Sequence, residues 1–334
     1  MTSTKKDPVL VILQLTGAND YLNTIVPYTN SLYWDNRPKV NIPQDLVLPI
    51  DDELAFRSEV EQFKDIYDKG NMAIIHGVGF QNSPRSHFRA MDIWHTCEPE
   101  SIGIDGWVAK VIRDLDPNGE NVLKGVNFGQ GLPRAMAMRG VPVTSVNNLA
   151  TYGVFSSVRS LASEDERTQL LDSFARMYAP AIGTGPTMEY LGQTGLDALK
   201  GADVIKLAPE RYSSTIEYAN NAIAKSLKDV AQVHLADLGT QVFYTSHGPF
   251  DTHFDQSGSH AKLWIEISGA LDSFFADLKE HNASENVVVM LFSEFGRRVK
   301  DNGTGTDHGA AGAAFVIGDR VNGCLLYTSD AADE

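Results

Sequence analysis

The chain has 334 residues and a formal net charge of −15, with 43% hydrophobic and 21% charged residues. This length allows one large α/β domain or two smaller ones, and the composition is that of a globular protein with a sizeable core. So acidic a protein has no general attraction for nucleic acid or for an anionic membrane surface, and no run approaches the roughly 18 apolar residues of a membrane span.

The two ends of the sequence raise questions about its integrity. Residues 324–334 resemble the in-frame translation of a sequencing adapter, so we expect them to be non-native and the authentic domain, residues 1–323, to be truncated at its C-terminus. Cys97 is then the one native cysteine, which excludes a disulfide framework and a thiolate metal site. The N-terminus carries no signal peptide, which predicts a cytoplasmic protein as written, or an exported, periplasmic one if the start codon is misplaced.

Apolar runs of strand length occur along the whole chain. The first, Val9–Leu15, is continuous, as expected for a strand buried on both faces of a parallel sheet. Residues 241–245 and 287–292 form two more, and between them the apolar residues of 263–278 mark one face of a long helix. This strand–helix–strand order predicts a βαβ unit, and therefore an α/β fold.

The remaining elements are less regular. Residues 72–76 and 313–317 are short apolar runs that predict two further buried strands. Residues 29–50, which contain three prolines, are expected to form an irregular loop. Helical spacing predicts further helices at residues 52–69, 82–94, 163–177 and 213–236.

Acidic residues and histidines gather just past the ends of these strands. Residues that follow the carboxyl ends of parallel strands meet in one crevice, where ligands bind. Carboxylates and imidazoles are ligands of divalent cations such as Zn, Mn, Mg or Ca, and these cations support hydrolytic chemistry. The candidate metal ligands are Asp20, Asp251, His253, Glu294, Asp307 and His308.

Asp251 and His253 form the strongest pair among these candidates, because an i, i+2 spacing on an extended segment points both side chains the same way. The other candidates have simpler alternatives. Asp20 has the alternative role of a helix-capping or turn aspartate. Glu294 could be a solvated strand end, and Asp307 a turn-forming residue.

A second group of candidates surrounds the start of the predicted helix at residues 82–94. Ser86 is the candidate nucleophile, with an ordinary helix-capping serine as the alternative. Backbone N–H groups at a helix start favour phosphate or sulfate, so His87 is a candidate for substrate binding. Arg85 and Arg89 are also assigned to substrate binding, because they could pair with its anionic group; the alternative is that both lie on the surface. Arg297 is a candidate catalytic residue that would hold an anion or pair with Glu294.

Five short motifs in chain order resemble a known family. They are Gly17-x-x-Asp20-x-Leu22-Asn23, Ser86-His87-Phe88, Phe250-Asp251-Thr252-His253, Ser293-Glu294-Phe295-Gly296-Arg297 and Asp307-His308-Gly309. The ordered set resembles the domain-of-unknown-function family 1501, which is grouped with the alkaline-phosphatase-like and sulfatase-like proteins. The resemblance spans residues 9–323, and many members of that family carry an export leader.

The resemblance implies an alkaline-phosphatase-like fold, a large and mostly parallel sheet flanked by helices on both faces, with one or two metals at the strand ends. By chain order, Asp20 and Ser86 would belong to the first metal. Asp251, His253 and His308 would belong to the second. The chain departs from the superfamily at Phe295, which stands where relatives carry a histidine and so removes one ligand.

These residues lead to three functional hypotheses. The first is a metal-dependent hydrolase of phosphate or sulfate esters, acting on an anionic small-molecule or glycan ester. A second is a non-catalytic binding or assembly protein that keeps a degenerate metal site on the same fold. A third is a phosphotransferase or mutase. Phe295 favours the binding protein, whereas the intact Asp251, His253, Asp307 and His308 favour the enzyme; the sequence leaves the oligomeric state open.

Overall fold

The computed structural model describes residues 6–152, 169, 172–173, 176–179 and 184–327. The chain forms two compact units, of which the first contains Met1–Trp94, Ser214–Lys228 and Thr245–Glu334, and the second His95–Ser213 and Asp229–Tyr244. In the described part, no helix combines the length and the apolar character needed to cross a bilayer. The single domain over residues 1–323 and the non-native tail stay predictions.

The strands and helices have the following bounds. The strands are β1 (Val9–Leu15), β2 (Ile25–Val26), β3 (Val47–Pro49), β4 (Ala55–Arg57), β5 (Met72–Val78), β6 (Gly125–Phe128), β7 (Thr144–Val146), β8 (Val242–His247), β9 (Val287–Ser293), β10 (Arg297–Asp301), β11 (Thr306–His308), β12 (Gly312–Ile317) and β13 (Cys324–Tyr327). The helices are α1 (Ser31–Asn36), α2 (Glu61–Asp68), α3 (His87–Thr96), α4 (Trp107–Leu115), α5 (Pro186–Ile205), α6 (Leu207–Arg211), α7 (Ala222–Leu235) and α8 (Gln256–Glu280).

The main sheet of the first unit runs in the order β13, β5, β12, β9, β1 and β8. β1 pairs with β9 in parallel, from Val9 opposite Val287 to Leu15 opposite Ser293. β13 pairs with β5 in parallel, whereas β12 is antiparallel to both of its neighbours. The sheet is therefore mixed and mostly parallel, as predicted. Because β1 and β9 end side by side, the segments that follow Leu15 and Ser293 start from the same edge.

Helices cover both faces of this sheet. On one face, Phe315 of β12 packs against Phe63 of α2 and Trp264 of α8, with ring centroids 5.3 and 5.6 Å apart. Leu291 lies opposite Phe315 in the strand register, so the next residue, Phe292, points to the other face. There it stacks on Trp94 of α3 at 4.9 Å. The prediction of an α/β sheet flanked by helices on both faces is confirmed.

In the second unit, β6 and β7 pair in parallel, with Val126 opposite Thr144. One face of α4 is buried through Val108, Ala109 and Ile112. A cavity of about 540 Å³ in this unit is lined by residues of the 122–198 region and by none of the candidate site residues.

The structure corrects several predicted boundaries. The helix expected at residues 52–69 begins only at Glu61, because the buried strand β4 (Ala55–Arg57) pairs with β2 and β3. The loop expected at 29–50 contains α1, whose N-terminus is capped by the side chain of Asn30, and also β3. The helix expected at 213–236 begins at Ala222. Most of the helix expected at 163–177 lies outside the described residues.

Candidate functional site

The loop after β8 lies against the end of β1. Backbone hydrogen bonds join Thr16 N–H to the His247 carbonyl at 2.9 Å and Phe250 N–H to the Thr16 carbonyl at 2.7 Å. The next residue, Gly17, has a φ of +107°, and a Cβ there would lie 2.6 Å from the backbone nitrogen of Asp251. Only glycine allows this approach, which brings Asp251 to the edge where β1 and β9 end.

The hairpin formed by β10 and β11 brings His308 to the same edge. Arg297 lies opposite His308 in the antiparallel pairing, and Gly309 N–H donates to the Gly296 carbonyl at 2.8 Å. A Cβ on Gly296 would lie 1.9 Å from the carbonyl oxygen of Ala311, so this close turn also requires glycine. His308 is thereby fixed beside the end of β9, although it is 55 residues or more in sequence from His253, Asp251 and His87.

Four side chains converge at this edge. His308 Nε2 lies 3.0 Å from both His87 Nε2 and His253 Nε2. Asp251 Oδ1 lies 3.1 Å from His308 Nε2 and from His253 Nε2, and 3.4 Å from His87 Nε2. Three imidazole nitrogens and one carboxylate oxygen therefore point at one small region.

The outer nitrogen of each of these histidines has an oxygen partner. His87 Nδ1 lies 2.8 Å from Glu294 Oε1, His308 Nδ1 lies 2.9 Å from the Arg85 carbonyl, and His253 Nδ1 lies 3.2 Å from Asp307 Oδ1. Carboxylates and carbonyls only accept, so each Nδ1–H donates outward and, in a neutral ring, each Nε2 carries a lone pair. This tautomer, assigned from the hydrogen-bond network, turns three lone pairs and one carboxylate toward one point.

This donor set fits a divalent cation. Nitrogen and oxygen ligands placed tetrahedrally at about 2.0–2.1 Å from zinc would lie about 3.3–3.4 Å apart. The ligand atoms of His87, Asp251 and His308 lie 3.0–3.4 Å apart, close to that spacing, and His253 Nε2 adjoins two of them. His87, Asp251 and His308 each offer a ligand atom within 4.8 Å of the others. The side chains of these residues are 23–40% exposed, so the region is open to solvent and to a substrate.

Arg297 acts inside the protein, which corrects the prediction that it would hold a substrate anion. Its side chain is fully buried, and Nη2 donates to Asp251 Oδ1 at 2.6 Å. The other donor contacts go to backbone carbonyls of Gly17, Ala18, Phe250 and Thr306, at 2.7–3.0 Å. One guanidinium thus joins the segments after β1 and β8 to the hairpin and orients Asp251.

The charge of Asp251 is stabilised by these contacts. Partial burial by itself would raise the pKa of the Asp251 carboxyl, but the hydrogen bond and the charge of Arg297 outweigh it and lower the pKa to about 2. Asp251 is therefore a carboxylate at any pH near neutrality, as a metal ligand must be.

Glu294 and Asp307, which we predicted to be metal ligands, hold histidines instead. Glu294 is only 2% exposed, and its Oε1 accepts both His87 Nδ1–H at 2.8 Å and Gly17 N–H at 2.9 Å. Asp307 accepts from His253 Nδ1 and, at 3.3 Å, from Asn302. Each carboxylate occupies the outer side of a ring whose inner nitrogen points at the centre, an arrangement that orients a metal-binding histidine.

Asp20 does not join this group, which corrects its assignment as a metal ligand. Its fully buried carboxylate accepts from Arg37 through Nη1 at 2.5 Å and Nη2 at 2.9 Å, and from the side-chain amide of Gln256. Burial alone would raise the pKa of Asp20, but Arg37 holds it below its ordinary value. An aspartate with a bidentate guanidinium partner has little capacity left for a cation.

The residues around the start of α3 divide into three roles. His87, assigned from the sequence to substrate binding, is one of the converging imidazoles. Arg89 pairs with Asp92, three residues further along the same helix, which corrects its assignment to substrate. Arg85 is exposed and its carbonyl holds His308, whereas Ser86 is half-buried and immediately precedes His87. Ser86 as nucleophile and Arg85 as substrate ligand stay predictions.

The sequence patterns did not single out Arg37, and they indicated for Phe295 only the loss of a ligand. Phe295 is 1% exposed and packs against His87 and His308, with ring centroids 5.0 and 5.1 Å apart. Phe295 therefore supports two of the converging rings. A signal for His87 was available, since it lies in a motif of the same type as the other candidates; Arg37, inside a proline-containing loop, gave none.

The family model described as "Protein of unknown function (DUF1501)" matches residues 194–331 of the chain. This match confirms the resemblance expected from the motifs, and it contains Asp251, His253 and His308. A comparison with curated protein sequences finds no match.

Several solved structures are similar to the chain. Alkaline phosphatase from the Antarctic bacterium TAB5 is 10% identical, with 96% of this chain and 95% of that chain covered at a TM-score of 0.40. The C-terminal periplasmic domain of EcEptC from Escherichia coli, in complex with Zn, is 10% identical, with 95% and 75% covered and a TM-score of 0.41. Lipooligosaccharide phosphoethanolamine transferase A from Neisseria meningitidis is 10% identical, with 95% and 49% covered and a TM-score of 0.43.

Proposed function

We propose that the first unit binds a divalent cation through His87, His253, His308 and Asp251, and uses it to hydrolyse phosphate or sulfate esters. The observation that carries the proposal is the orientation of the three imidazoles. Each Nδ1 is bonded to an oxygen acceptor on the outside, so each Nε2 turns its lone pair toward Asp251 Oδ1. Four unprotonated donor atoms around one point repel each other unless a cation lies between them.

The donor types limit which cation is expected. Three imidazoles and one carboxylate suit Zn or Mn better than Mg or Ca, which prefer oxygen ligands. When bound, such a cation supplies Lewis-acid stabilisation of developing negative charge on an ester oxygen. Glu294 and Asp307 orient the rings of His87 and His253. Arg297 keeps Asp251 ionised and in place.

Two residues next to this group are proposed to act on the substrate. Ser86 precedes His87 at the start of α3, so its hydroxyl is the proposed nucleophile toward phosphorus or sulfur, with a water molecule as the alternative. Arg85 is the exposed cation whose backbone holds His308, and we assign its guanidinium to the non-bridging oxygens of the ester. Arg89 and Arg297 are left out of this role because carboxylates of the protein already engage them.

The experiment combines metal addition with single substitutions. Full-length protein, stripped with a chelator, should hydrolyse an aryl phosphate or aryl sulfate only after Zn or Mn is added back. Asp251→Ala should abolish both metal binding and hydrolysis, whereas Ser86→Ala should leave metal binding unchanged. Near-total loss of hydrolysis in Ser86→Ala would identify the serine as nucleophile, and a partial loss would identify water. His281→Ala, at the end of α8, is the matched control that should change neither.

A binding protein is the second candidate, and one observation favours it. Phe295 occupies the position of a superfamily ligand and fills it with a buried ring packed on His87 and His308. The centre therefore has a single group of four donors, which suffices to hold a cation. If the protein binds one metal ion per chain and yet hydrolyses no member of a broad panel of phosphate and sulfate esters, this second function is the correct one. Transfer to an acceptor alcohol instead of water would indicate a phosphotransferase.

A further inference from the structure

The exposure of the phenylalanines shows an unusual distribution in this chain. Of those that the structure describes, two are exposed, Phe88 at 91% and Phe254 at 75%. The others are buried or, in the case of Phe80, half-buried. A phenylalanine ring with nine-tenths of its surface in water gains free energy when a ligand or partner covers it, because burying a large apolar side chain is favourable.

Both exposed rings directly follow a histidine of the converging group. Phe88 comes after His87, and Phe254 comes after His253. The Nε2 atoms of these two histidines each lie 3.0 Å from the same atom, Nε2 of His308. Each exposed ring therefore belongs to the residue next in sequence to a side chain of the converging group.

Packing does not explain why phenylalanine stands at these positions. In α3 the inward positions are filled by Ala90 and Ile93, which are 0% and 7% exposed, and Phe88 lies away from that face. Around Phe254 the inward positions are Thr252, on the loop before α8, and Gln256, the first residue of α8, at 4% and 0% exposed. Neither element needs an aromatic residue for its own core at residues 88 and 254.

Resting on the proposed function, we infer that Phe88 and Phe254 bind the alcohol part of the substrate, and that this part carries a ring with a flat apolar face. An ester whose charged group lies at the histidines projects its alcohol part outward, past residues adjacent to them. Aromatic side chains stack on aryl rings and cover the apolar faces of sugar rings. The substrate class is thus an aryl or a pyranose ester, in preference to a small aliphatic one.

Binding of phosphonates, which are not hydrolysed, tests this inference without requiring turnover. The affinities of zinc-loaded full-length protein for phenylphosphonate, for the phosphonate isostere of glucose 6-phosphate and for methylphosphonate are measured by calorimetry. The wild-type protein should bind at least one of the two ring-bearing probes about tenfold or more tightly than methylphosphonate, and the stronger of them identifies the ring as aryl or pyranose. Phe88→Ala and Phe254→Ala should each weaken that binding about five- to tenfold and leave methylphosphonate unchanged.

Leu32→Ala is the control, because Leu32 is an apolar side chain of similar exposure, 62%, on α1. Equal affinities for all three probes, or the same effect of both phenylalanine substitutions on methylphosphonate, would overturn the inference. So would substitutions that change no affinity but abolish self-association in sedimentation, since the rings would then cover a second copy of the chain.

A zinc-loaded protein that hydrolyses nothing yet prefers a ring-bearing probe would support this inference and contradict the hydrolase proposal. A protein that hydrolyses esters but binds all three probes with equal affinity would support the hydrolase proposal and contradict this inference.

Discussion

Glu294 Oε1 lies 2.8 Å from Nδ1 of His87, inside a buried pocket where the same oxygen accepts the backbone N–H of Gly17 at 2.9 Å. Glu294 is the first residue after β9, and Gly17 follows β1, so a single carboxylate oxygen connects the ends of the two central strands to a ring on α3. The tautomer of His87 therefore depends on the parallel pairing of β1 with β9. Through this contact Glu294, which is not one of the four converging side chains, orients the ring of His87.

Removing this carboxylate should weaken metal binding without removing a ligand. In Glu294→Ala the ring of His87 loses the acceptor for Nδ1–H, so its orientation and tautomer are no longer fixed. We expect the affinity for zinc to fall about 10–100-fold, as for other groups that orient metal-binding histidines. Competition with a fluorescent chelator measures the affinity for zinc. Glu294→Gln, whose amide oxygen can still accept, should recover part of the loss; equal losses in both variants would contradict this role.

Substituting Asp307, which holds a histidine from outside, should weaken zinc binding less than substituting Asp251, which lies at the centre. Asp307→Asn keeps an oxygen acceptor for His253 and should lower zinc affinity by about tenfold or less. Asp251→Asn removes the charged ligand itself and should cost much more. The same competition experiment ranks the two variants, and an Asp307 effect as large as that of Asp251 would mean that Asp307 binds the cation directly.

Arg297 should matter more for stability than any surface arginine. Arg297→Met removes a donor from four carbonyls and from the Asp251 carboxylate, and of these the Phe250 carbonyl still accepts from Thr252 N–H. We therefore expect a loss of about 3 kcal/mol or more in the free energy of unfolding. Arg320→Met is the control, since its ion pair with Glu285 is 44% and 76% exposed and should contribute about 1 kcal/mol or less. Urea unfolding of both variants measures the difference, and similar values for the two would disprove the buried role.

His260 should make the stability of the protein depend on pH. Burial, and then the charge of Arg57, lowers its pKa from 6.5 to about 3 in the folded state. Between these two values the unfolded chain binds the extra proton, so the contribution of neutral His260 is fully present above pH 6.5 and is lost as pH falls toward 3. The slope from one such group is at most about 1.4 kcal/mol per pH unit.

His260→Gln tests this dependence, because a glutamine amide can still donate to Asn19 Oδ1 and accept from Arg57, as His260 does at 2.9 and 3.1 Å. The free energy of unfolding of the variant, measured with a chelator present, should fall less steeply than that of the wild type between pH 6.5 and 5. Parallel curves would show that His260 is not the residue responsible.

Much of the fold followed from local patterns. The apolar run Val9–Leu15 became a central strand with the predicted bounds, and the apolar face of residues 263–278 became the buried side of α8. A continuous apolar run and a 3.6-residue period each have one way to be buried, so sequence identifies them. Strand β4 was misread as helix because three residues carry too little periodicity, and its pairing with β2 and β3 is a tertiary property.

The sequence predicted which residues come together at the site better than it predicted the role of each residue. Strand ends and motifs predicted that Asp251, His253 and His308 would meet, since parallel strands bring such residues to one edge, and the three side chains do lie together; their binding of a metal stays a proposal. They did not separate a ligand from a residue that holds a ligand, because that difference lies in distances of a few ångströms across the sheet. Asp20 shows the same limit: its partner Arg37 lies 17 residues away in an irregular segment, and no local pattern connects the two.

X-ray absorption of the zinc-loaded full-length protein tests the central claim most directly, because imidazole rings give a characteristic outer-shell signal that counts them. We expect a first shell of nitrogen and oxygen at about 2.0–2.1 Å with three imidazoles, falling to two in His87→Ala, in His253→Ala and in His308→Ala. One imidazole or none in the wild type, or a count that stays the same in all three variants, would contradict the account.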